Sequence, residues 1–111
     1  MGAELISKGA ATLALHLRAE GIPFKEEYAF HPLRKWMADF RIEPDVLVEV
    51  DGGNRMAAIV NGKPTAVGRH TGDKDYEKIN EAAILGYRVL RFSPAQVKSG
   101  YAIDVIKRIM L

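Results

Sequence analysis

A chain of 111 residues with 48% apolar and 27% charged residues, 10 glycines and 5 prolines reads as one globular domain over 1–111, and is neither a disordered nor a collagen-like composition. It has no cysteine, which excludes disulfides, thiolate-bound zinc, iron–sulfur clusters and thiol nucleophiles, so catalysis would have to come from carboxylates, His, Lys or hydroxyls. The formal net charge of +2 hides a division: Asp39, Glu43, Asp45, Glu49 and Asp51 fall in one window where Arg41 is the only basic residue, and the remainder holds 9 acids against 15 Lys and Arg, a net +6.

Met1–Leu5 lacks the basic-then-apolar run of a secretion signal, and no apolar run approaches about 18 residues, so the expected location is the cytoplasm, without a membrane partner. Residues 4–20 carry Leu5, Ile6, Leu13, Ala14 and Leu17 at helical spacing and end at Gly21; Gly9 weakens the pattern. Ile22-Pro23 forces an extended chain into a first strand over Lys25–Phe30. The clearest strands are 36–42, with Trp36, Ala38, Phe40 and Ile42 on one face, and 46–51, with Val46, Val48 and Val50 on one face. Glu43-Pro44-Asp45 turns between them. Asn61-Gly62 between apolar runs predicts a small hairpin or flap at about 56–67. Gly68–Gly72 reads as a polar loop, and Thr71 or Asp73 caps a helix over about 74–85 that Gly86 ends. Tyr87–Phe92 reads as a strand, Ser93-Pro94 as a helical start, and Ile103, Ile106 and Ile109 as the apolar face of a last helix. The expected class is α/β: helix, three strands, flap, helix, strand, helix.

A turn centred on Pro44 pairs residues whose numbers sum to a constant, so Ile42 meets Val46, Phe40 meets Val48 and Asp39 meets Glu49 on one face. A one-residue slip would expose the valines. Two like charges facing across a ladder repel, so something positive is expected between them. An acid on one strand opposite an acid on its neighbour suits Mg²⁺ or Mn²⁺, hard cations that take oxygen ligands and fill their remaining positions with water and phosphate oxygens. A pair of surface acids on the wet side of a half-exposed sheet is the alternative.

Residues 26–92 resemble the PD-(D/E)xK, restriction-endonuclease-like superfamily, close to its short-patch-repair-like and Holliday-junction-resolvase-like branches. The resemblance rests on Glu27-Tyr28 with Phe30-His31-Pro32, Arg34-Lys35-Trp36 leading to Asp39-Phe40, and Val48-Glu49-Val50-Asp51-Gly52-Gly53. It continues through Gly68-Arg69-His70-Thr71, Glu77-Lys78 with Asn80 and Ala82, and Leu85–Phe92. It implies a restriction-endonuclease-like core and metal-dependent cleavage of a DNA phosphodiester, with Asp39 and Glu49 matching the metal-binding acids. Asp39 is preferred to Asp45, which lies only four residues before Glu49 on the same strand and its turn. Two residues after Glu49 the superfamily places a lysine, and this chain has Asp51. The resemblance then offers Lys78 as a lysine migrated to the following helix, with Asp51 as a third ligand. Glu27, favoured over Glu26, is a further acid that reaches the site from the first strand.

His70 has the pKa range for a general base or a phosphate contact. Arg34, Lys35, Arg55, Lys63, Arg69 and Lys74 surround the acidic window, and with Arg88 they are candidates for phosphate neutralisation. His16 and His31 read as structural, and Trp36, Phe40 and Phe92 as core. The combined expectation is a Mg²⁺- or Mn²⁺-dependent endonuclease, structure-selective or weakly sequence-selective. Its expected partners are DNA, branched DNA included, and a second copy of itself, with a role in repair, recombination or phage DNA processing. The alternatives are a nucleic-acid-binding module of the same fold without cleavage, and a structural or interaction subunit.

Overall fold

The structure is a computed structural model, and it describes residues 8–51, 59–60, 63–64 and 73–111. In chain order the elements are α1 (Lys8–Ala19), β1 (Lys25–Ala29), β2 (Met37–Ile42), β3 (Val46–Val50), β4 (Ile59–Val60), β5 (Lys63–Pro64), α2 (Asp73–Ile84), β6 (Arg88–Phe92), α3 (Pro94–Lys98) and α4 (Tyr101–Ile109). Four strands form one mixed sheet in the order β1-β2-β3-β6, antiparallel from β1 to β3 and parallel between β3 and β6. This is the expected α/β order. Among the described residues no helix is long and apolar enough to cross a membrane.

Two helices end where glycine permits a left-handed residue. Gly21 has φ +71, its N–H donates to Arg18 O, and the Ile22 N–H donates to Leu17 O. Gly86, with φ +94, repeats the pattern through Ala83 O and Tyr87 N–H to Ala82 O. Both satisfy carbonyls that the helix leaves open, and a Cβ there would be strained. Ser93 caps α3 through a reciprocal box: its hydroxyl accepts from the Gln96 N–H and the Gln96 side chain accepts from the Ser93 N–H, with Pro94 in the first turn.

The β2–β3 ladder pairs Ile42 with Val46, Arg41 with Leu47 and Phe40 with Val48, the register set by the turn at Pro44. Val46, Val48 and Val50 pack with Phe40, Ile42 and Phe92 against Leu13 and Leu17 of α1, Val97 of α3 and Ile106 of α4. The opposite face holds a smaller cluster of Phe30, Ala38, Leu47 and Ala82, with Tyr28, Trp36, Tyr87 and Val89 against it. The hairpin pairs Ile59 with Pro64 and Val60 with Lys63; residues 63–64, expected in the connection, belong to its second strand.

Two expectations about the strands are corrected. Trp36 precedes β2, so alternation does not govern it; it stacks 6.4 Å from Phe30 in the smaller cluster, which also takes Ala38, and neither joins Phe40 and Ile42 as expected. β1 is also less regular than its sequence suggests. Glu27 has φ +49, a left-handed backbone unusual outside glycine, and the ladder steps over it between Glu26↔Phe40 and Tyr28↔Ala38.

Candidate functional site

Asp39 alternates with the buried Ala38 and Phe40 on β2, and Glu49 with the buried Val48 and Val50 on β3. The ladder stops at Phe40↔Val48, and beyond it the Val50 N–H donates to Asp39 Oδ2 at 2.7 Å. The Asp39 side chain thus takes an acceptor's place in the ladder, and its carboxylate is fixed to the strand that carries Glu49.

Glu49 is 22% exposed, and Lys78 of α2, 23% exposed, places Nζ 2.7 Å from its Oε2. Burial pushes the Glu49 carboxyl above the usual carboxylate range; Lys78 opposes that, Asp39 adds to it by repulsion, and Arg91 opposes it from the next strand. The Asp39 contribution places the two acids within each other's field, and Lys78 is the positive group that their repulsion calls for. Register explains Arg91: β6 runs parallel to β3 with Arg91 beside Glu49. Its guanidinium also holds Asp51 at 2.8 Å.

Glu49, Lys78, Arg91 and Asp75 form the polar wall of a ≈ 30 Å³ pocket floored by Leu47 and Val89. That volume accepts a water or two and no nucleotide, so a larger ligand would lie across its mouth. Asp75 and Arg91 were not among the site residues offered from sequence, although Arg91 was read as a strand arginine in need of a partner. Arg91 was legible only by anticipating the parallel β3–β6 register, and Asp75 only by knowing which side of α2 faces the sheet.

No protein-family model matches the chain, and none of the curated proteins matches it. Among solved structures the chain is similar in fold to the catalytic domain of the homing endonuclease I-Bth0305I. The TM-score is 0.58 at 19% identity, over 95% of this chain and 91% of that one. The shared architecture therefore spans nearly the full chain, including the strands that carry Asp39 and Glu49.

The remaining candidates separate by place. Glu27 is exposed and, by the register on either side of it, stands opposite Asp39, whereas Glu26 lines a groove with Arg18, Ile22 and Phe24 at the end of α1. Asp45 is held by Arg88 through two bonds, 3.1 and 2.9 Å, and this guanidinium keeps its carboxyl below the usual range. Arg88 pairs with Val46 and Arg91 with Glu49, so the Arg88–Asp45 pair lies three residues, about 10 Å, along the sheet from Glu49. Arg34 stacks 4.0 Å over Trp36 and approaches Glu77 at 3.6 Å; Lys35 and Lys74 are exposed. His70, Arg55 and Arg69 lie outside the described residues, as does Thr71.

His31 has a structural place. Its Nδ1 accepts the Leu33 and Arg34 N–H groups at 3.0 Å each, so Nε2 carries the proton that meets Glu81 Oε1 at 3.0 Å. A second group given no site role by the sequence is Arg41, which lies between Tyr28 and Tyr87, 4.9 and 5.3 Å from their ring centres. It donates to both hydroxyls and to Pro44 O. It ties β2 to β1 and to the residue that leads into β6, and it pins the turn that sets the register.

The donor set suits a hard divalent cation in kind: two carboxylates in one field, one braced by a backbone N–H and one partly buried. Among the described residues no three acids or histidines gather closely enough to enclose an ion. Asp51, the expected third ligand, has its carboxylate on Arg91 instead. Asp39 and Glu49 alone match the one or two carboxylates that Mg²⁺ takes when water and phosphate supply the rest.

Proposed function

We propose that this protein is a Mg²⁺- or Mn²⁺-dependent endonuclease that hydrolyses DNA phosphodiester bonds. The observation that carries the reading is Lys78 Nζ at 2.7 Å from Glu49, with Asp39 in the field of the same carboxylate. The fold likeness to a homing endonuclease catalytic domain supports it.

Asp39 and Glu49 would hold the cation, which when bound supplies Lewis-acid polarisation of the phosphate and lowers the pKa of its water. The Val50 N–H orients the Asp39 carboxylate. Lys78 opposes the effect of burial on Glu49, and from the wall of the small pocket it orients the attacking water. Arg91 draws Asp51 away from Glu49 and sets a guanidinium on the pocket wall, where the scissile phosphate arrives. Lys35, Lys74 and, from the sequence, Arg55, Arg69 and His70 add phosphate contacts; Glu27 is a further acid beside Asp39.

We further propose that the chain acts as one domain, that it is structure-selective or weakly sequence-selective, and that a second copy accompanies it when both strands are cut. A role in repair, recombination or phage DNA processing belongs to the same reading. Purified protein is incubated with linear, branched and single-stranded DNA in Mg²⁺ or Mn²⁺, beside Glu49→Ala. Cleavage by the native chain alone is expected, and chelator abolishes it. One observation favours a second reading: Asp51 occupies the superfamily's lysine position and pairs with Arg91. DNA binding with no cleavage of any substrate would decide for a binding module.

A further inference from the structure

The loop between β1 and β2 carries an exposed leucine on an unusually well-braced frame. Leu33 is 86% exposed, more so than any other large apolar residue within the described chain short of the terminal Leu111. A single exposed leucine is ordinary on a protein surface. What distinguishes this one is its support and its position.

The support comes from His31, whose Nδ1 accepts the N–H groups of both Leu33 and Arg34. Pro32 stiffens the link between them. On the far side of the ring, Nε2 is bonded to Glu81 on α2, and the ring packs edge-on to Trp36 at 5.4 Å. Arg34 lies over the Trp36 face and reaches Glu77, also on α2. The loop is therefore clamped to α2 at two points, one on each side of Lys78, the residue that meets Glu49. At its other end it runs directly into Met37, two residues before Asp39. One helix and one strand thus place both the acid site and Leu33, so their separation is set by rigid elements. Lys35 follows Leu33 and is exposed, a phosphate-seeking charge beside an apolar tip.

An apolar side chain held without rotational freedom of its backbone, next to a cation and beside a phosphodiester-cleaving site, has the chemistry of a base-step wedge. Such wedges enter between stacked base pairs and offset the unstacking cost by burying their own surface. Resting on the nuclease reading above, we infer that Leu33 inserts into duplex DNA, unstacks one base step, and so positions the backbone over Asp39 and Glu49.

The test uses the full chain, in chelator so that no strand is cut, with a short duplex carrying several 2-aminopurines, whose fluorescence rises on unstacking. The native protein raises the signal; Leu33→Ala binds roughly tenfold more weakly and, at saturating protein, gives no rise, while Leu33→Met restores it. Leu33 makes almost no packing contact, so the variants fold, and circular dichroism verifies that. Binding with no rise from the native chain, or an equal rise from Leu33→Ala, overturns the wedge and leaves the nuclease reading standing. Failure of the native chain to bind any duplex overturns both.

Discussion

The two faces of the four-stranded sheet are made from the same residues in alternation, yet they do different work. The face toward α1, α3 and α4 carries Phe40, Ile42, Val46, Val48, Val50 and Phe92 in an apolar cluster. The face toward α2 has a much smaller apolar cluster, and beside Leu47 it places Glu49 and Lys78, partly shielded from water, and the exposed Arg91. Burial of Glu49 raises its pKa, so the ionised acid is held at a cost that only Lys78 and Arg91 offset. Stability is concentrated on one side of the sheet, and the other side is left room for a strained electrostatic arrangement.

The comparison is broken most severely at the apolar face. Phe40 is 1% exposed and packs edge-on to Phe24 at 5.3 Å. Phe40→Ala lowers stability by about 3–5 kcal/mol, read as a fall in the urea midpoint at unchanged slope.

On the α2 face, Lys78→Met leaves a partly buried carboxylate without its cation and costs about 1–3 kcal/mol at neutral pH. Cleavage activity falls further than that loss of folded protein explains. The sign of the pH effect is fixed by the raised Glu49 pKa. The folded state holds the proton more tightly than the unfolded state, so the ionised acid opposes folding above the folded pKa, and that opposition disappears as pH falls below the unfolded value. The Lys78→Met deficit therefore shrinks in acid. Glu49→Gln removes the same penalty: it gains a little stability at neutral pH, flattens the profile through the carboxylate range, and abolishes cleavage. Urea titrations between pH 4 and 8 check both variants.

Gly9 sharpens the contrast from the packed side. By propensity Gly9→Ala should strengthen α1 by about 1 kcal/mol. In the structure a Cβ there would lie 2.8 Å from Val50 Cγ1 and close to Pro94, so the substitution overpacks the core and destabilises by about 1–2 kcal/mol net. The smallest effect belongs to Arg88→Ala. Its pair with Asp45 is solvated, so stability changes little, and what changes is lost in high salt. The Asp45 pKa is depressed, so its small contribution is present above the unfolded carboxylate pKa and fades as pH falls through the folded one.

The elements differ in how far they could be read in advance. The β2–β3 register followed from Pro44 and the valine alternation, because a one-residue slip would turn a whole buried face outward. The glycine-ended helices followed because only glycine takes a left-handed residue cheaply. Trp36 was misplaced because alternation was extended one residue past the strand, and the Phe30 and His31 rings that hold it come from the start of the β1–β2 loop. The left-handed Glu27 left no trace in sequence, since nothing in a glutamate signals φ +49.

The amino-acid sequence alone determined the α/β order, the placing of Asp39 and Glu49 on neighbouring strands within each other's field, and the need for a positive group near them, all consequences of local periodicity and a short turn. The superfamily resemblance suggested Lys78. Only the tertiary structure decided that Lys78 meets Glu49, that Arg91 goes to Asp51 and that Arg88 goes to Asp45. Those choices depend on the parallel β3–β6 register and on where α2 crosses the sheet, and long-range docking of that kind is set by packing complementarity between distant segments.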